Sequence, residues 1–528
     1  MPLPALILTG ASGFVGRHLL DEFKEERRIF AIARRSQRQS GAAVHPNIAW
    51  MRVDVGDREG LARAFREIAT AGGASQLVHL AAYYDFTGDA HPAYQRTNVE
   101  GTRLVLEGAR QIGVSDLVFA SSVAACGFPR PEGAVTEATP PDGKHLYARS
   151  KCLGERVVRE SVAPHAVIAR FGAIYSDWCE YPPLYVFLST WLGRSWRRAI
   201  LAGRGQTGIP YVHVRDVVAF FRRLLPRLPE LDHGEVLVAS STGDTTHREL
   251  FSLATRAFFG EVRHSIHMPA PLCLAGVRLQ DGLGRLVGRR PFERPWMIRY
   301  VDQRLRVDNA RTQARLGWTP SRRYRVERRL PFMVEHMRAE PYLWFARNQA
   351  LLHRQPPPPD LLIYEALAAV EDQVVRTLLG EVLVGSPGQF GTLHRLDSLE
   401  LEWQLRLLYR LLLTSVQTAN RMLLLDYVAV TCPNRFAAGD SPEDLQLLLE
   451  RLSALTRQAL LRREDLRPLR MELHNRIAVP IGFAVDEVRE QAERYREAAV
   501  PAVTATAEAR QAREALEDTI WQCLVTRH

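Results

Sequence analysis

A glycine-rich turn follows the first apolar run of the chain and limits what the N-terminal part can fold into. The run Leu3 to Leu8 is typical of a buried strand, and the motif Thr9-Gly10-Ala11-Ser12-Gly13-Phe14-Val15-Gly16 leads from it into a helix. Glycines at this spacing permit a tight turn, close approach of the backbone to a pyrophosphate, and close helix packing. A helix N-terminus adds N–H donors for an anion. The motif therefore predicts a dinucleotide site.

The first 330 residues alternate short apolar runs with longer amphipathic stretches, which is the pattern of α/β folds. Such alternation implies right-handed βαβ crossovers and a parallel sheet, so we predict a doubly wound Rossmann-type domain. The predicted strands are Leu3–Leu8, Ile29–Ala33, Gln76–Leu80, Leu117–Ala120 and Ala166–Arg170, and the predicted helices include Arg17–Glu26, Glu59–Ala71, Val99–Ile112 and Tyr147–Val162.

The length of 528 residues predicts more than one domain. The proline run from Gln355 to Asp360 cannot continue a helix or a central strand, so a stiff linker is expected there. Beyond it, helix-start signals at Asp397 to Glu400 and Ser441 to Asp444 precede Leu-rich stretches. We predict a dinucleotide-binding domain with a small substrate-binding lid over 1–335, a linker over 336–360, and an all-α domain of unassigned role over 361–528.

Charge is unevenly distributed. Residues 1–360 carry 50 basic and 35 acidic groups, whereas residues 361–528 carry 19 arginines and 24 acids. The basic part could attract an anionic cofactor, a phosphorylated or carrier-bound substrate, or an anionic membrane face, and a basic solvated surface is the alternative. The helical domain lacks a basic patch interleaved with aromatics, which argues against a nucleic-acid partner.

The cysteines and the apolar runs indicate the setting of the chain. Its six cysteines are widely spaced, with no CxxC pair and no His cluster at ligand spacing, so we expect neither disulfides nor a metal site. This pattern predicts a cytoplasmic protein. The longest apolar stretches are shorter than the ~20 residues that a membrane-spanning helix needs, so we predict no transmembrane segment.

The end of the second predicted strand indicates which dinucleotide is bound. An acid there would bind a ribose 2′-hydroxyl, whereas arginine suits a 2′-phosphate, and the chain has Ala33-Arg34-Arg35. We therefore favour NADP(H), with NAD(H) as the alternative. Asp54 follows the next unit and could reach the adenine amino group, or it could belong to a helix start, as could Asp57.

Tyr147 and Lys151 form the strongest catalytic pair. Residues four apart share one face of a helix, so the ammonium can lie near the phenol and favour phenolate. Only three of the 69 basic residues are lysines (Lys24, Lys144 and Lys151), which suggests that the compact ammonium is needed where lysine stands. Ser122 ends a predicted strand, where ligands meet open α/β sheets, and could hold a carbonyl oxygen against the phenol. A capping role is the alternative for Ser121 and, less so, for Ser122.

In order and spacing, these motifs resemble the extended short-chain dehydrogenase/reductases, that is, the NAD-dependent epimerase/dehydratase family, over residues 1 to 330. The motifs that carry the resemblance are TGASGFVG, His79-Leu80-Ala81-Ala82, Asn98-Val-Glu-Gly-Thr102, SSVAACG, Tyr147-Ala-Arg-Ser-Lys151, Arg170-Phe-Gly-Ala-Ile-Tyr175 and Tyr211-Val-His-Val-Arg-Asp216.

The resemblance implies hydride transfer with Tyr147 as general acid/base, Lys151 lowering its pKa and binding the nicotinamide ribose, and Ser122 orienting the reacting oxygen. It places Asn98 under the active-site helix. The residues that it implies around the cofactor are Gly10, Ser12, Gly13, Phe14, Val15, Gly16, Arg34, Asp54, Val55, Leu80, Ala81, Ala82, Asn98, Tyr147 and Lys151.

Departures from the family pattern narrow the reaction. Val123 and Ala124 stand where sugar-nucleotide dehydratases resemble one another in an Asp-Glu pair, so dehydration is disfavoured, and Ala173 replaces an Asn of many sugar-nucleotide members. Two Trp-containing apolar segments, Ser176–Arg204 and Pro269–Trp296, look like the substrate lids of hydroxysteroid dehydrogenase or dihydroflavonol reductase relatives.

The leading hypothesis is an NAD(P)-dependent oxidoreductase that acts on a ketone or secondary alcohol of an apolar or carrier-linked small molecule. A nucleotide-sugar epimerase is the alternative, and a dinucleotide-sensing protein with a helical output domain is the third. Ser122, Tyr147 and Lys151 argue against a purely sensory role. The Leu-rich helices could form a homodimer interface or bind a protein partner.

Overall fold

The computed structural model describes residues 3–85, 88–129, 133–287, 290–353, 359–384, 390–393, 396–418, 420 and 422–497. The chain divides into two compact units. The first contains Met1–Met337 and Arg347–Pro356, and the second contains Arg338–Ala346 and Pro357–His528.

The first unit is built on a sheet of seven parallel strands in the order β11-β6-β5-β4-β1-β2-β3, and three two-stranded sheets, β10-β7, β12-β9 and β13-β8, accompany it. The strands are β1 (Ala5–Thr9), β2 (Arg28–Ala33), β3 (Ile48–Arg52), β4 (Gln76–His79), β5 (Asp116–Ser122), β6 (His165–Phe171), β7 (Ala173–Tyr175), β8 (Ile200–Ala202), β9 (Gly208–Ile209), β10 (Tyr211–His213), β11 (Val236–Ala239), β12 (Thr245–Thr246) and β13 (Ile266–Met268).

Helices cover both faces of the seven-stranded sheet and continue to residue 353. They are α1 (Phe14–Phe23), α2 (Gln37–Ser40), α3 (Arg58–Thr70), α4 (Ala93–Gln95), α5 (Gly101–Gln111), α6 (Leu146–Glu160), α7 (Pro182–Trp191), α8 (Val214–Leu224), α9 (His247–Phe259), α10 (Ala270–Leu286), α11 (Ala310–Leu316), α12 (Val326–Ala339) and α13 (Pro341–His353). A π-helical turn, Arg96–Glu100, leads into α5.

The core follows from the two-residue period of the strands, because alternate side chains point to opposite faces of the sheet. Leu6 and Leu8 of β1 belong to one buried cluster, together with residues of α1 and α8. Ile7 between them belongs to a second cluster, with residues of α3 and α5. Both faces of the sheet are therefore covered, and the carboxyl ends of its strands are the edge that remains for a ligand.

The predicted doubly wound α/β class is confirmed. All five predicted strands and four predicted helices are present, with ends shifted by at most three residues. In the seven-stranded sheet, strands β3 and β11 were not predicted, and neither were the strands of the three small sheets. Asp57 is the N-cap of α3, where its carboxylate accepts from the backbone N–H of Gly60 at 3.2 Å. This is the helix-start role that the sequence indicated for Asp57.

The second unit is helical. Its longer helices are α14 (Pro359–Val384), α15 (Ser398–Thr418), α16 (Leu423–Ala437), α17 (Pro442–Leu461) and α19 (Val479–Glu497), and the short α18 is Arg470–Leu473. Ser441 caps α17 as predicted, accepting from the backbone N–H groups of Glu443 and Asp444. Within the predicted linker 336–360, the structure has the end of α12 and all of α13, while residues 354–358 lie outside the described part. No helix among the described residues is long and apolar enough to cross a membrane.

Candidate active site

Helix α6 carries the central residues of the site on one face. Tyr147, Lys151 and Glu155 follow one another at intervals of four, so the helix stacks their side chains along the same side. Tyr147 lies next to Ser122, the last residue of β5. Burial raises the pKa of the phenol, and the nearby Ser122 side chain, which can hydrogen-bond to the phenolate, opposes this rise only in part. The structure thus brings Ser122 and Tyr147 together, as the sequence predicted.

The ammonium of Lys151 is buried beneath this pair. Its Nζ donates to the backbone oxygen of Ala120 at 2.6 Å and lies 6.0 Å from the ring centroid of Tyr147. Burial lowers the pKa of Lys151 to about 8, although the charge of Glu155 favours the protonated form. The prediction that the ammonium lies near the phenol is met, but its hydrogen bond goes to the end of β5 and not to the phenol.

The two serines at the end of β5 have separate roles. Ser122 accepts from the backbone N–H of Ala124 at 3.1 Å and thereby caps the short helix that follows. Ser121 donates to Glu155 at 2.6 Å. The capping role expected mainly of Ser121 therefore belongs to Ser122, which combines it with its position next to Tyr147.

A buried ion pair anchors α6 to the sheet. The guanidinium of Arg170, on β6, donates to both carboxylate oxygens of Glu155, at 2.9 and 2.8 Å, and both side chains are almost fully buried. Burial raises the pKa of Glu155, but the hydrogen bonds and charge of Arg170 outweigh this and hold the pKa below its ordinary value. The pair fixes the helix that carries Tyr147 and Lys151.

Asn98 fastens the other side of α6. Its amide nitrogen donates to the oxygen of Tyr83 and to Ser150 Oγ, both at 2.8 Å, while its oxygen accepts from the Tyr83 N–H at 2.6 Å. This buried side chain therefore links the loop after β4 to the helix. The contact agrees with the supporting position that the resemblance implied for Asn98.

The glycine turn is shaped for close backbone approach. Gly10 has φ +72°, and a Cβ there would lie 2.7 Å from the backbone nitrogen of Ala81. A Cβ on Gly16 would lie 2.5 Å from the oxygen of Gly10, and α1 begins just after Gly13. Only glycine fits at positions 10 and 16, so the turn stays narrow above the N-terminus of α1. A pyrophosphate fits such a cradle.

The other residues predicted around the cofactor lie near this turn or beside it. Ser12, Phe14 and Val15 lie in the turn and first turn of α1, while Leu80 and Ala82 flank Ala81 after β4. Val55 is buried and packs against the start of α5. These positions meet because β1 lies between β2 and β4 in the sheet.

Asp54 is already engaged within the protein. One carboxylate oxygen accepts from the N–H of Gly56 at 2.9 Å, and the other pairs with Arg96. An adenine amino group would have to share this carboxylate with Gly56 and Arg96. The contact of Asp54 with adenine therefore stays a prediction.

Three arginines lie close together at the carboxyl end of β2. Arg34 is exposed, and the pKa of Arg35 is lowered by burial and by the charges of Arg34 and Arg17. Among the described residues, Nε of Arg17 is buried with no hydrogen-bond partner. A cluster of like charges with an unsatisfied donor is suited to a phosphate group.

A cavity of about 870 Å³ opens in front of Tyr147. Most of its wall is aromatic or aliphatic, with contributions from both segments that were predicted as a lid. Prominent lining residues are Tyr84, Phe187, Trp191, Trp296, Met297 and Tyr300. Its size is within the range of small-molecule pockets.

The cavity also contains a buried polar atom that the sequence did not indicate. Within the described structure, Nε2 of His247 is buried without a hydrogen-bond partner, and His247 lines the cavity. Burial lowers the pKa of this imidazole to about 4, so it is neutral near pH 7. The neutral ring can therefore form a hydrogen bond with a polar group of a ligand in the cavity.

Comparison with known proteins agrees with this geometry. The model of the NAD-dependent epimerase/dehydratase family matches residues 6–240, which contain the glycine turn, Ser122, Tyr147 and Lys151. Residues 6–240 are therefore similar to the NAD-dependent epimerase/dehydratase family. The homologues in this family are enzymes, and the chain is an enzyme.

Several known proteins are similar to this chain over most of its first unit. An N-acetyl-alpha-D-glucosaminyl-diphospho-ditrans,octacis-undecaprenol 4-epimerase of Escherichia coli O157:H7 is 28% identical over 291 residues, 54% of this chain and 81% of the relative. Sterol demethylase protein B of Methylococcus capsulatus is 28% identical over 326 residues, 60% of this chain and 93% of the relative. The structure of dTDP-glucose 4,6-dehydratase from Bacillus anthracis, solved with NAD, has a TM-score of 0.50 at 19% identity, covers 65% of this chain and 99% of its own, and supports the fold.

Two features of the site, the pairing of Glu155 with Arg170 and the cavity residue His247, were not found from sequence motifs. Glu155 continues the four-residue spacing of Tyr147 and Lys151, so it could have been found from that spacing. Its partner Arg170 lies on a separate strand and could not. His247 follows a capping threonine at the start of α9 and has no sequence signal that distinguishes it from a helix-start residue.

Proposed function

We propose that the chain is an NAD(P)-dependent oxidoreductase that interconverts a ketone and a secondary alcohol on an apolar, ring-containing or carrier-linked small molecule. The observation that carries the proposal is the large, mainly apolar cavity directly in front of the Ser122–Tyr147 pair. Apolar walls with a few polar groups are what a ligand of this class requires.

One charged pair of the cavity wall is compensated within the protein, which supports an apolar substrate. Arg197, on its wall, is paired with Glu293 at 3.1 Å, so its charge is already compensated. The neutral His247 offers one hydrogen-bonding atom within the apolar wall. A substrate with a single distant polar group and an apolar body matches this distribution.

The residues around Tyr147 are arranged to move a proton at the substrate oxygen. Because burial keeps the phenol protonated near neutral pH, Tyr147 can donate as a carbonyl becomes an alcohol and take the proton back in the reverse direction. Ser122 can hold the same oxygen, and Lys151 supplies positive charge below the ring. A bound nicotinamide would supply or accept the hydride at the adjacent carbon.

We also propose that the dinucleotide is NADP(H). Arg17, Arg34 and Arg35 cluster at the end of β2, where an adenosine ribose would bind in a fold of this class, and the buried Nε of Arg17 without a partner supports a phosphate there. NAD(H) stays the alternative, since the dehydratase of similar fold was solved with NAD.

Epimerisation of a sugar is the second candidate function, and the undecaprenol-linked 4-epimerase among the relatives favours it. Lys144 and Arg299 line the cavity and could meet a diphosphate. The two functions differ in redox balance, because an epimerase retains its dinucleotide and shows no net oxidation or reduction.

The test is to release and identify the dinucleotide from denatured protein, and then to follow the absorbance of the reduced dinucleotide with ketones, secondary alcohols and nucleotide sugars. We expect net turnover with apolar ketones. Sugar isomerisation without net turnover would establish the second candidate and refute the first.

Tyr147→Phe tests the acid/base role. Turnover should be abolished while dinucleotide affinity, measured by fluorescence titration, stays close to that of the parent protein, because only the proton-transfer group is removed. Tyr185→Phe is the matched control, since Tyr185 accepts a hydrogen bond from Gln349 away from the cavity wall. Substantial turnover in Tyr147→Phe would contradict the proposed mechanism.

A further inference from the structure

Helix α10 presents a continuous apolar stripe to solvent. Residues spaced three and four apart share one face of a helix, and on this face every residue is apolar or glycine. The four leucines of the stripe are between 55% and 86% exposed. The stripe consists of Leu272, Ala275, Gly276, Leu279, Gly282, Leu283 and Leu286.

The orientation of α10 is the reverse of that of an ordinary surface helix. Its polar Asp281 is buried, whereas its leucines face outward. Soluble surfaces seldom expose apolar patches of this kind unless the patch binds something.

The same helix forms part of the cavity wall. Cys273, Val277 and Gln280, on its inner side, line the cavity in front of Tyr147. Trp196 also lines the cavity and is 76% exposed, so the cavity reaches the surface there. The inner side of α10 thus lines the cavity, while its outer side carries the stripe.

Backbone pairing holds Trp196 and α10 in one substructure. The short helix Trp196–Ala199 runs directly into β8, which pairs in parallel with β13, and β13 leads into α10. Ile266 of β13 is 57% exposed and extends the apolar surface. Trp196, β13 and α10 thus form one surface element, which we call the entrance surface.

The charge of the entrance surface is positive. The segments Trp191–Arg204 and Val262–Val287 contain seven arginines and one acid. That acid, Asp281, is buried and paired with Arg285 at 2.9 Å and with Arg290 at 2.7 Å. The arginines of these two segments are Arg194, Arg197, Arg198, Arg204, Arg263, Arg278 and Arg285. Three of them are paired, Arg197 with Glu293, Arg263 with Glu261 and Arg285 with Asp281. Among the described residues no ion pair is formed by the other four, which leave the surface positively charged.

Apolar side chains surrounded by arginines limit what can cover this surface. In a symmetric dimer through the same patch, the arginines of two copies would face each other. An anionic lipid surface satisfies both parts, because leucines enter the boundary between headgroups and acyl chains while arginines remain beside lipid phosphates. A tryptophan at the edge suits the interfacial region.

We propose that the entrance surface docks the chain on an anionic membrane face, without spanning it. The cavity entrance then opens toward the lipid, and an apolar compound can pass from the bilayer to Tyr147. This last consequence rests on the proposed function, whereas the docking itself does not depend on which substrate reacts.

The experiment measures co-sedimentation of the full chain with sucrose-loaded vesicles. Vesicles of phosphatidylcholine mixed with phosphatidylglycerol should bind the protein, added salt should weaken the binding, and vesicles of phosphatidylcholine alone should bind little. The double variant Leu279→Gln with Leu283→Gln should lower the partition coefficient by at least about tenfold, because both substitutions remove inserted apolar surface.

The matched control is Leu399→Gln on α15, where the leucine is 75% exposed, more than Leu279 at 66% or Leu283 at 55%, but lies outside the entrance surface. It should bind vesicles like the parent protein. Circular dichroism and thermal melting establish that each variant is folded. Turnover of a short water-soluble ketone without vesicles tests the proposed oxidoreductase function separately, so the two proposals can fail independently.

Three results would overturn the proposal. The intact chain could fail to bind anionic vesicles, or the double variant could bind as well as the parent protein. The third result combines two observations: the parent protein is a dimer in light scattering that the double variant converts to a monomer, and the protein does not bind vesicles. The stripe would then be an interface between two copies of the chain.

Discussion

Replacing Glu155 by glutamine removes one charge from the most deeply buried ion pair that the structure describes around the site. Arg170 donates to both carboxylate oxygens, to the backbone oxygen of Thr139 at 2.6 Å and to Sγ of Cys126 at 3.2 Å. A glutamine is similar in size but keeps one acceptor and turns an NH₂ group toward the guanidinium. The variant therefore leaves a buried cation with an uncompensated charge.

The loss of stability follows from this geometry. Breaking a buried pair from one side destabilises a protein by about 3–5 kcal/mol. For a unit of about 350 residues, that corresponds to a fall in Tm of roughly 4–7 °C. By contrast, Glu107→Gln removes a half-exposed ion pair with Arg58 at 3.0 Å, and it should cost less than about 1 kcal/mol.

Differential scanning calorimetry is the assay, because it can resolve separate transitions of the two units. The effect of Glu155→Gln should also depend on pH. The folded-state pKa of Glu155 is lowered, so its contribution is present above the ordinary value of 4.5 and is lost as the pH falls below it. The difference between the parent protein and the variant should therefore shrink in acid.

Equal losses for Glu155→Gln and Glu107→Gln would refute this reasoning. A double variant, Glu155→Leu with Arg170→Met, provides a further check. Because it removes both charges together, it should be more stable than the sum of the two single changes predicts.

Three further predictions concern the glycine turn, the arginine cluster and a buried imidazole. Gly10→Ala should weaken dinucleotide binding by at least about tenfold in a fluorescence titration, because φ +72° and the 2.7 Å approach to Ala81 exclude a Cβ; unchanged affinity would show that the turn is not the cradle. Arg34→Asp should shift the preference from NADP(H) toward NAD(H), measured as the ratio of kcat/KM values, and a constant ratio would exclude this arginine from the site. Burial lowers the pKa of His79 from 6.5 to about 3, so the unfolded chain binds the proton more tightly and stability should fall as the pH drops from 6.5; His79→Gln should flatten this fall in calorimetric scans, and an unflattened profile would contradict it.

The parts of the fold that the sequence predicted are those with strong local signals. A central strand is apolar throughout because it is covered on both faces, and β1 and β5 were found for this reason. The two missed strands of the seven-stranded sheet, β3 and β11, are its edges. β3 has a partly exposed pattern that includes Trp50 and Arg52, and such strands lack a continuous buried run.

The contacts of the candidate site also separate into those with a local sequence signal and those without one. The spacing of Tyr147 and Lys151 is a property of one helix, so the sequence could place both on one face. The bond from Lys151 to Ala120 and the pairing of Glu155 with Arg170 join a helix to separate strands. Such contacts depend on tertiary packing, and local spacing carries no signal for them.

The surroundings of Lys151 give a physical reason for a lysine in a chain that otherwise uses arginine. Its Nζ occupies a buried position between the oxygen of Ala120 and the ring of Phe119, whose centroid is 5.1 Å away. A guanidinium has five donors in a planar fork, and this space offers them one carbonyl. An ammonium can also lose its proton when buried, as the lowered pKa of Lys151 indicates, whereas a guanidinium stays charged. Both geometry and desolvation therefore select lysine here, at the point where α6 meets the end of β5, beside the tyrosine that we propose as the acid/base.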